Sequence, residues 1–284
     1  MYNHAILIQA HAYPELIKLI IDRLSAENHY FFIHIDSKTK DYEAFLRLAT
    51  DHVIFAPHRY NVKWGAVEQI YLTIELLKMA LSYKINFDYY HLISGQDYPH
   101  YKAEEFDNIF KNNTCSYMEI DDNNNFENRY MYYHTNSILS IRSKWGRRLE
   151  NTMMKIQILY NKFFRLRKPL QLRPYKGSNW WSLHNDAVHY IIDYIMNNPS
   201  YLKRFRFTNC CDEIFFHTIL LNSKLRDTIY QHDLRYVDWK KKNEGDKLPR
   251  ILTIDDYEAI KKSKTVFIRK IDLSLSKSLL NMLK

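Results

Sequence analysis

Two hydrophobic periods alternate along the first third of the chain. Residues 4–11 hold an unbroken apolar run from Ala5 to Ile8, the pattern of a strand buried on both faces. Residues 14–26 then place Leu16, Leu19, Ile20 and Leu24 at helical spacing behind a first-turn proline. The same alternation predicts strands at 29–36, 52–57, 89–94 and 115–121, and helices at 42–50, 67–83 and 103–111. A sheet built this way is mainly parallel, covered by helices on both faces, and binds ligands where its strands end. Those ends carry His11, Asp36 and Asp97.

An acid- and Asn-rich stretch at 121–127 reads as a loop and divides the chain into halves, 1–121 and 122–284, of one domain. Beyond it the pattern predicts a helix over 145–166, with Leu149, Met153, Ile156, Tyr160 and Phe163 on one face. A strand at 180–183 and helices at 186–196 and from Asp212 follow. A strand at 234–239, a helix at 255–262 and a strand at 266–270 complete the order.

Composition changes this picture in one place. The formal charge is +9, yet residues 142–176 alone hold eleven Lys or Arg against one acid, Glu150. The remainder is close to neutral, so the basicity belongs to one segment. The three cysteines, Cys115, Cys210 and Cys211, have neither a disulfide framework nor zinc-ligand spacing. With no signal-peptide pattern and no long apolar span, the expectation is a cytoplasmic protein.

There is no glycine-rich phosphate loop, and the chain has only 5 Gly, so a bound diphosphate must be held by charged side chains. Ser94-Gly95-Gln96-Asp97-Tyr98-Pro99 ends a buried strand in a turn that carries a carboxylate. Gly177-Ser178-Asn179-Trp180-Trp181-Ser182-Leu183 sets small residues before paired indoles, of which Trp181 alternates toward the core. Cys210-Cys211-Asp212-Glu213-Ile214-Phe215-Phe216 places two acids at a helix start, and Arg269-Lys270 ends a late strand.

Together with Ile33-His34-Ile35-Asp36-Ser37-Lys38, Val62-Lys63-Trp64-Gly65, Leu234-Arg235-Tyr236-Val237-Asp238-Trp239 and Phe267-Ile268-Arg269-Lys270-Ile271-Asp272, these pieces resemble, in order, a known family. It comprises the core-2/I-branching β-1,6-N-acetylglucosaminyltransferases and peptide O-xylosyltransferases, glycosyltransferase family fourteen, of which this chain looks like a bacterial-type member. The resemblance implies a GT-A-type, Rossmann-like single catalytic domain, inversion at the anomeric carbon, and no metal cofactor. The acid cluster Glu119-Ile120-Asp121-Asp122 is the nearest candidate for an ion, with a solvated loop as its ordinary role.

By the same resemblance Glu213 falls where the family carries its catalytic base, with Phe215 and Phe216 expected to give it an apolar setting. Arg269 and Lys270 match a pair facing the donor diphosphate, with Arg250 as a second arginine there and Lys247 as its rival. Asp36 is a strand-end acceptor for ribose or uracil. His11, Arg59 and Trp64 are candidates for the same pocket, and Asp97 either contacts the donor or forms a turn. Ser178, Trp180 and Trp239 are the sugar-binding candidates. The family's aromatic two positions beyond Trp239 is Lys241 here, which departs from the acceptor pattern.

The expected function is transfer of a sugar, N-acetylglucosamine first and xylose second, from a UDP donor to a glycan or lipid-linked oligosaccharide in cell-surface polysaccharide assembly. The basic segment fits peripheral contact with an anionic membrane at its inner face, or an ordinary solvated helix. Two other classes compete. A nucleic-acid-binding protein would spread its cations over a groove, whereas here they concentrate. A non-catalytic membrane-associated relative has no use for Glu213 with Arg269 and Lys270.

Overall fold

A computed structural model describes residues 2–123, 125–136, 138, 143–240 and 247–283. Among the described residues there are ten strands: β1 His4–Ala10, β2 His29–Ile35, β3 Val53–Phe55, β4 Tyr89–Ser94, β5 Asp97–Pro99, β6 Ser116–Met118, β7 Trp181–His184, β8 Ile229–Tyr230, β9 Arg235–Val237 and β10 Phe267–Arg269. The α-helices are α1 Pro14–Leu24, α2 Tyr42–Leu46, α3 Glu68–Leu81, α4 Ala103–Phe110, α5 Glu127–Met131, α6 Lys144–Asn161, α7 Asn185–Asn197, α8 Pro199–Arg204, α9 Asp212–Leu221, α10 Tyr257–Lys262 and α11 Lys277–Met282.

Seven strands form a mainly parallel sheet in the order β3-β2-β1-β4-β7-β6-β8, with β7 antiparallel to both neighbours. Alternate residues of its central strands feed two cores. Ala5, Leu7, Phe32 and Leu92 pack with α3, α7 and α9, while Ile6, Ile8, Phe31 and Ile93 pack with α1 and α4. This is the expected α/β fold, a mainly parallel sheet flanked by helices. The strands β5, β8 and the helices α5, α8 and α11 have no counterpart in the sequence reading; each is too short to display a period.

The register places the site. Gln9 lies opposite Ser94 and Ala10 opposite Ile35, so β1, β2 and β4 end level and release His11, Asp36 and Gly95 at one edge. Just past that edge, β5 pairs antiparallel with β10, which runs parallel to β9, in a second, three-stranded sheet. At the opposite strand ends His4, His29 and Asp107 bring three ligand atoms within 4.8 Å of one another.

The basic segment folds as expected at its centre and differs at its surface. Ser143 caps α6 by accepting the Gly146 N–H at 3.0 Å, but of the whole helix only Gly146 is buried. Glu150 fixes it to the body, accepting from His134 at 2.6 Å and from the Thr135 amide at 2.8 Å. Behind it, buried Arg167 donates to the carbonyls of Tyr132 and Phe207. Arg142, part of the same basic segment, lies outside the described residues, as does Lys241.

Candidate active site

A closed circuit of contacts joins the quoted motifs around the carboxyl edge of the sheet. It starts at Asp36, nearly buried after β2. Its Oδ1 accepts the Lys38 amide at 2.8 Å, and its Oδ2 accepts the Lys38 ammonium at 2.8 Å and the Val62 amide at 3.3 Å. Val62 leads to Gly65, whose φ of 68° suits a residue without a Cβ. A Cβ there would also crowd Asn209 and Cys210, each 3.1 Å away, and the Gly65 carbonyl accepts the Cys210 amide at 2.9 Å. The Val62-Lys63-Trp64-Gly65 motif thus lies against the turn that opens α9 and presents Glu213.

Glu213 is about one-third exposed, and its Oε2 lies 2.5 Å from Nη1 of Arg129 on α5. Burial opposes the charge of that guanidinium, but the Glu213 carboxylate outweighs it and raises the Arg129 pKa above its ordinary value. Phe215 and Phe216, expected to surround the carboxylate, are instead fully buried in the core. The reason is geometric: α9 is buried on nearly every side from Ile214 to Leu221, so both rings enter the core. Beside Glu213, Asp212 is buried, and that burial, followed by the Glu213 charge, pushes its carboxyl up to about 7. Glu119 is likewise raised, first by burial and then by Asp233, Asp121 and Glu213.

From Glu213 the circuit passes to the loop at 177–180. The Gly177 amide donates to the Glu213 carbonyl at 3.0 Å. A Cβ on Gly177 would stand 1.8 Å from the Glu119 carbonyl oxygen, so only glycine permits this approach. Ser178 Oγ accepts the Trp180 amide at 3.3 Å. Asn179 is buried with both amide atoms lacking a hydrogen-bond partner. Trp181 points into the core, as its alternation with Trp180 requires, and the Trp180 ring carries the Arg269 guanidinium 4.9 Å from its centroid.

Arg269 closes the ring. Its Nη1 donates to Asp97 Oδ1 at 2.7 Å, because β10 sets Arg269 opposite Asp97 in register. Asp97 Oδ2 accepts the Ser94 amide at 2.9 Å, and its side chain is wholly buried. The possibility that Asp97 touches the donor is therefore corrected: it shapes the turn and holds Arg269. Lys270 follows Arg269 through a cis peptide. The exposed His11 ring feels both cations; its pKa is lowered, first by desolvation against its walls, with Asp36 opposing and Lys270, Lys38 and Arg269 reinforcing.

Two expected donor contacts are turned elsewhere. Arg250 lies between Asp238 and Asp256, with Nη2 at 2.6 Å from the first and 2.5 Å from the second. Two carboxylates of its own chain occupy the guanidinium fork that was expected to face a diphosphate. Arg59 donates to the carbonyls of Asp36 and Thr39, at 2.8 and 3.0 Å, and stacks on Tyr42, so it braces the loop that carries Asp36. Trp64, Trp239 and Lys247 are exposed. In the acid cluster, Asp121 is paired with Lys176.

Arg129 and Asn179 are the additions to the sequence reading. Arg129 carried no local signal, whereas Asn179 stood inside a quoted motif. Among known proteins, the chain is 21% identical over 234 residues to the Caenorhabditis briggsae protein named xylosyltransferase sqv-6, covering 80% of this chain and 27% of that one. It is 24% identical over 234 residues to human xylosyltransferase 2, covering 80% and 25%. It thus spans about a quarter of the length of these relatives. A crystal structure of mouse xyloside xylosyltransferase 1, in its apo form, aligns over 94% of this chain and 97% of that one, with TM-score 0.41 and 11% identity. The sequence model of the Core-2/I-Branching enzyme family matches residues 5–261. With nearly the whole chain matched, and with the motifs assembled around one edge of the sheet, this protein belongs to the Core-2/I-Branching enzyme family.

Proposed function

We propose that this protein is an inverting, metal-independent glycosyltransferase that moves a sugar from a UDP donor to a glycan hydroxyl in cell-surface polysaccharide assembly. Glu213 takes the proton of the acceptor hydroxyl as its oxygen attacks the anomeric carbon from the face opposite the leaving group. The bond to the diphosphate breaks, and its electron pair leaves with UDP. Arg269 and Lys270 stabilise the charge that grows there, work that fixed cations in a water-poor site perform well. Asp36, His11 and Trp64 take the nucleoside, and Trp239 offers its indole face to sugar. The unpaired Asn179 amide is assigned to a polar group of the donor sugar, since a buried amide left unpartnered costs about 1–3 kcal/mol. The names of the relatives bring xylose forward beside N-acetylglucosamine as that sugar.

One observation supports the reading above all: the loop at 177–180 meets the Glu213 backbone carbonyl at its start and the Arg269 guanidinium at its end, so one short loop contacts both residues. Thermal shift with UDP, UDP-N-acetylglucosamine and UDP-xylose, with and without EDTA, tests it. Stabilisation that survives the chelator is expected. A response abolished by EDTA would sink the metal-free mechanism, and no response to any of the three would remove the donor assignment.

A further inference from the structure

The helix α6 has a surface that the catalytic reading does not use. Trp145, Leu149, Ile156 and Phe163 recur at i, i+4, i+11 and i+18, and each is exposed, Trp145 by 81% and Phe163 by 77%. Lys144, Arg148, Lys155 and Lys162 repeat the same spacing one residue earlier, and these four are exposed as well. One residue on a helix is about 100° of rotation, so an apolar stripe and a cationic stripe run side by side through α6 and the turn after it. Lys144, Arg148 and Lys155 also border a shallow groove along the helix.

The acid that would normally balance such a face is turned away. Glu150, the only acidic residue of α6, points inward to His134 and Thr135. Outward, the helix therefore offers large apolar side chains flanked by cations and no anion. We infer that α6 docks in the plane of an anionic lipid bilayer, its apolar stripe entering between acyl chains and its cations meeting lipid phosphates. Charge complementarity selects this occupant: an apolar protein groove would leave the cationic stripe unmatched. No helix among the described residues is long and apolar enough to cross the membrane, so the contact is peripheral.

Docking stands without the catalytic reading. Combined with that reading, it makes a lipid-linked glycan the matching acceptor class, because the stretch that anchors α6 through His134 and Thr135 directly follows α5, which carries Arg129, the partner of Glu213.

Co-sedimentation of the full chain, without sugar nucleotide, with vesicles of phosphatidylcholine alone or with about 30% phosphatidylglycerol tests the inference. Binding to the anionic vesicles should exceed binding to neutral ones at least ~10-fold and fall as salt is raised. The triple variant Trp145→Ser, Ile156→Ser, Phe163→Ser and the triple variant Lys144→Glu, Arg148→Glu, Lys155→Glu should each lose at least ~10-fold of it. All six positions are exposed, and unchanged circular dichroism melts would show that the fold is kept. In the wild type, tryptophan fluorescence should shift to the blue on anionic vesicles, and Trp145→Phe should remove most of the shift. Equal binding to both vesicle types, or binding untouched by both triple variants, would overturn the inference. So would absence of vesicle binding, including a case where the chain captures duplex DNA instead.

Discussion

Arg129 Nη1 lies 2.5 Å from Glu213 Oε2, although the two residues are 84 positions apart in the chain. The arginine holds the proposed base in a single orientation at the head of α9. Glu213→Gln should keep UDP binding while transfer falls at least ~100-fold. Arg129→Gln should lower kcat about 10-fold or more and leave the donor KM unchanged, since it removes orientation and not a donor contact. Near-normal turnover in Glu213→Gln would assign the base to another group.

Arg269 is held between Asp97 and Trp180, so its position depends on a carboxylate that never meets solvent. Asp97→Asn strips the charge from that buried partner, and losing one member of a buried pair costs on the order of 3 kcal/mol. The expected result is weaker UDP binding by calorimetry together with a lower melting temperature. Unaltered UDP affinity in both Asp97→Asn and Arg269→Ala would remove the diphosphate role of Arg269.

Asn179 permits a narrower test. If its amide meets the donor sugar, Asn179→Ala should weaken a UDP-sugar roughly 5- to 10-fold, about 1 kcal/mol, and leave UDP itself unaffected. Equal losses for both ligands would place the amide at the nucleotide, and no loss for either would leave it a structural void.

Gly177 is where a single methyl group should do most harm. The clash of a Cβ with the Glu119 carbonyl oxygen and with His217 Nε2, 1.8 and 2.5 Å away, forces either β6 or α9 to move. Overpacking of this kind costs on the order of 3 kcal/mol. Gly177→Ala should lower the melting temperature by roughly 5 °C or more and reduce activity with it. A melting temperature equal to wild type would show that the loop can shift without cost.

Asp212 should impose a pH dependence on stability. Its carboxyl rises from 3.8 to about 7 in the fold, chiefly by burial and then by the Glu213 charge. Between these values the folded chain keeps a proton that the unfolded chain has released. The contribution to stability is therefore full at the acid end and falls as pH rises toward 7. Urea midpoints at pH 5 and pH 7.5 should converge in Asp212→Asn relative to wild type; an unchanged gap would assign the titration to other groups, such as Glu119, whose carboxyl is also raised.

The periodic pattern of the sequence was sufficient for the parallel strands, the major helices and the inward turn of Trp181, because burial of regular elements repeats at fixed intervals along the chain. It also set Glu213 at a helix start and Arg269 at a strand end. Which side chains meet was decided by the tertiary structure alone. Asp97 and Arg269 are 172 positions apart, and only the antiparallel register of β5 and β10 brings them together. Arg250 read in sequence as a second diphosphate arginine, and only the fold closes Asp238 and Asp256 on it. The apolar stripe of α6 was equally legible as a core face; its exposure follows from how Glu150 and Arg167 hang the segment on the body. Periodicity records which positions share a face, whereas pairing across the sheet and the choice of face that meets solvent depend on long-range packing, which leaves no local mark on the chain.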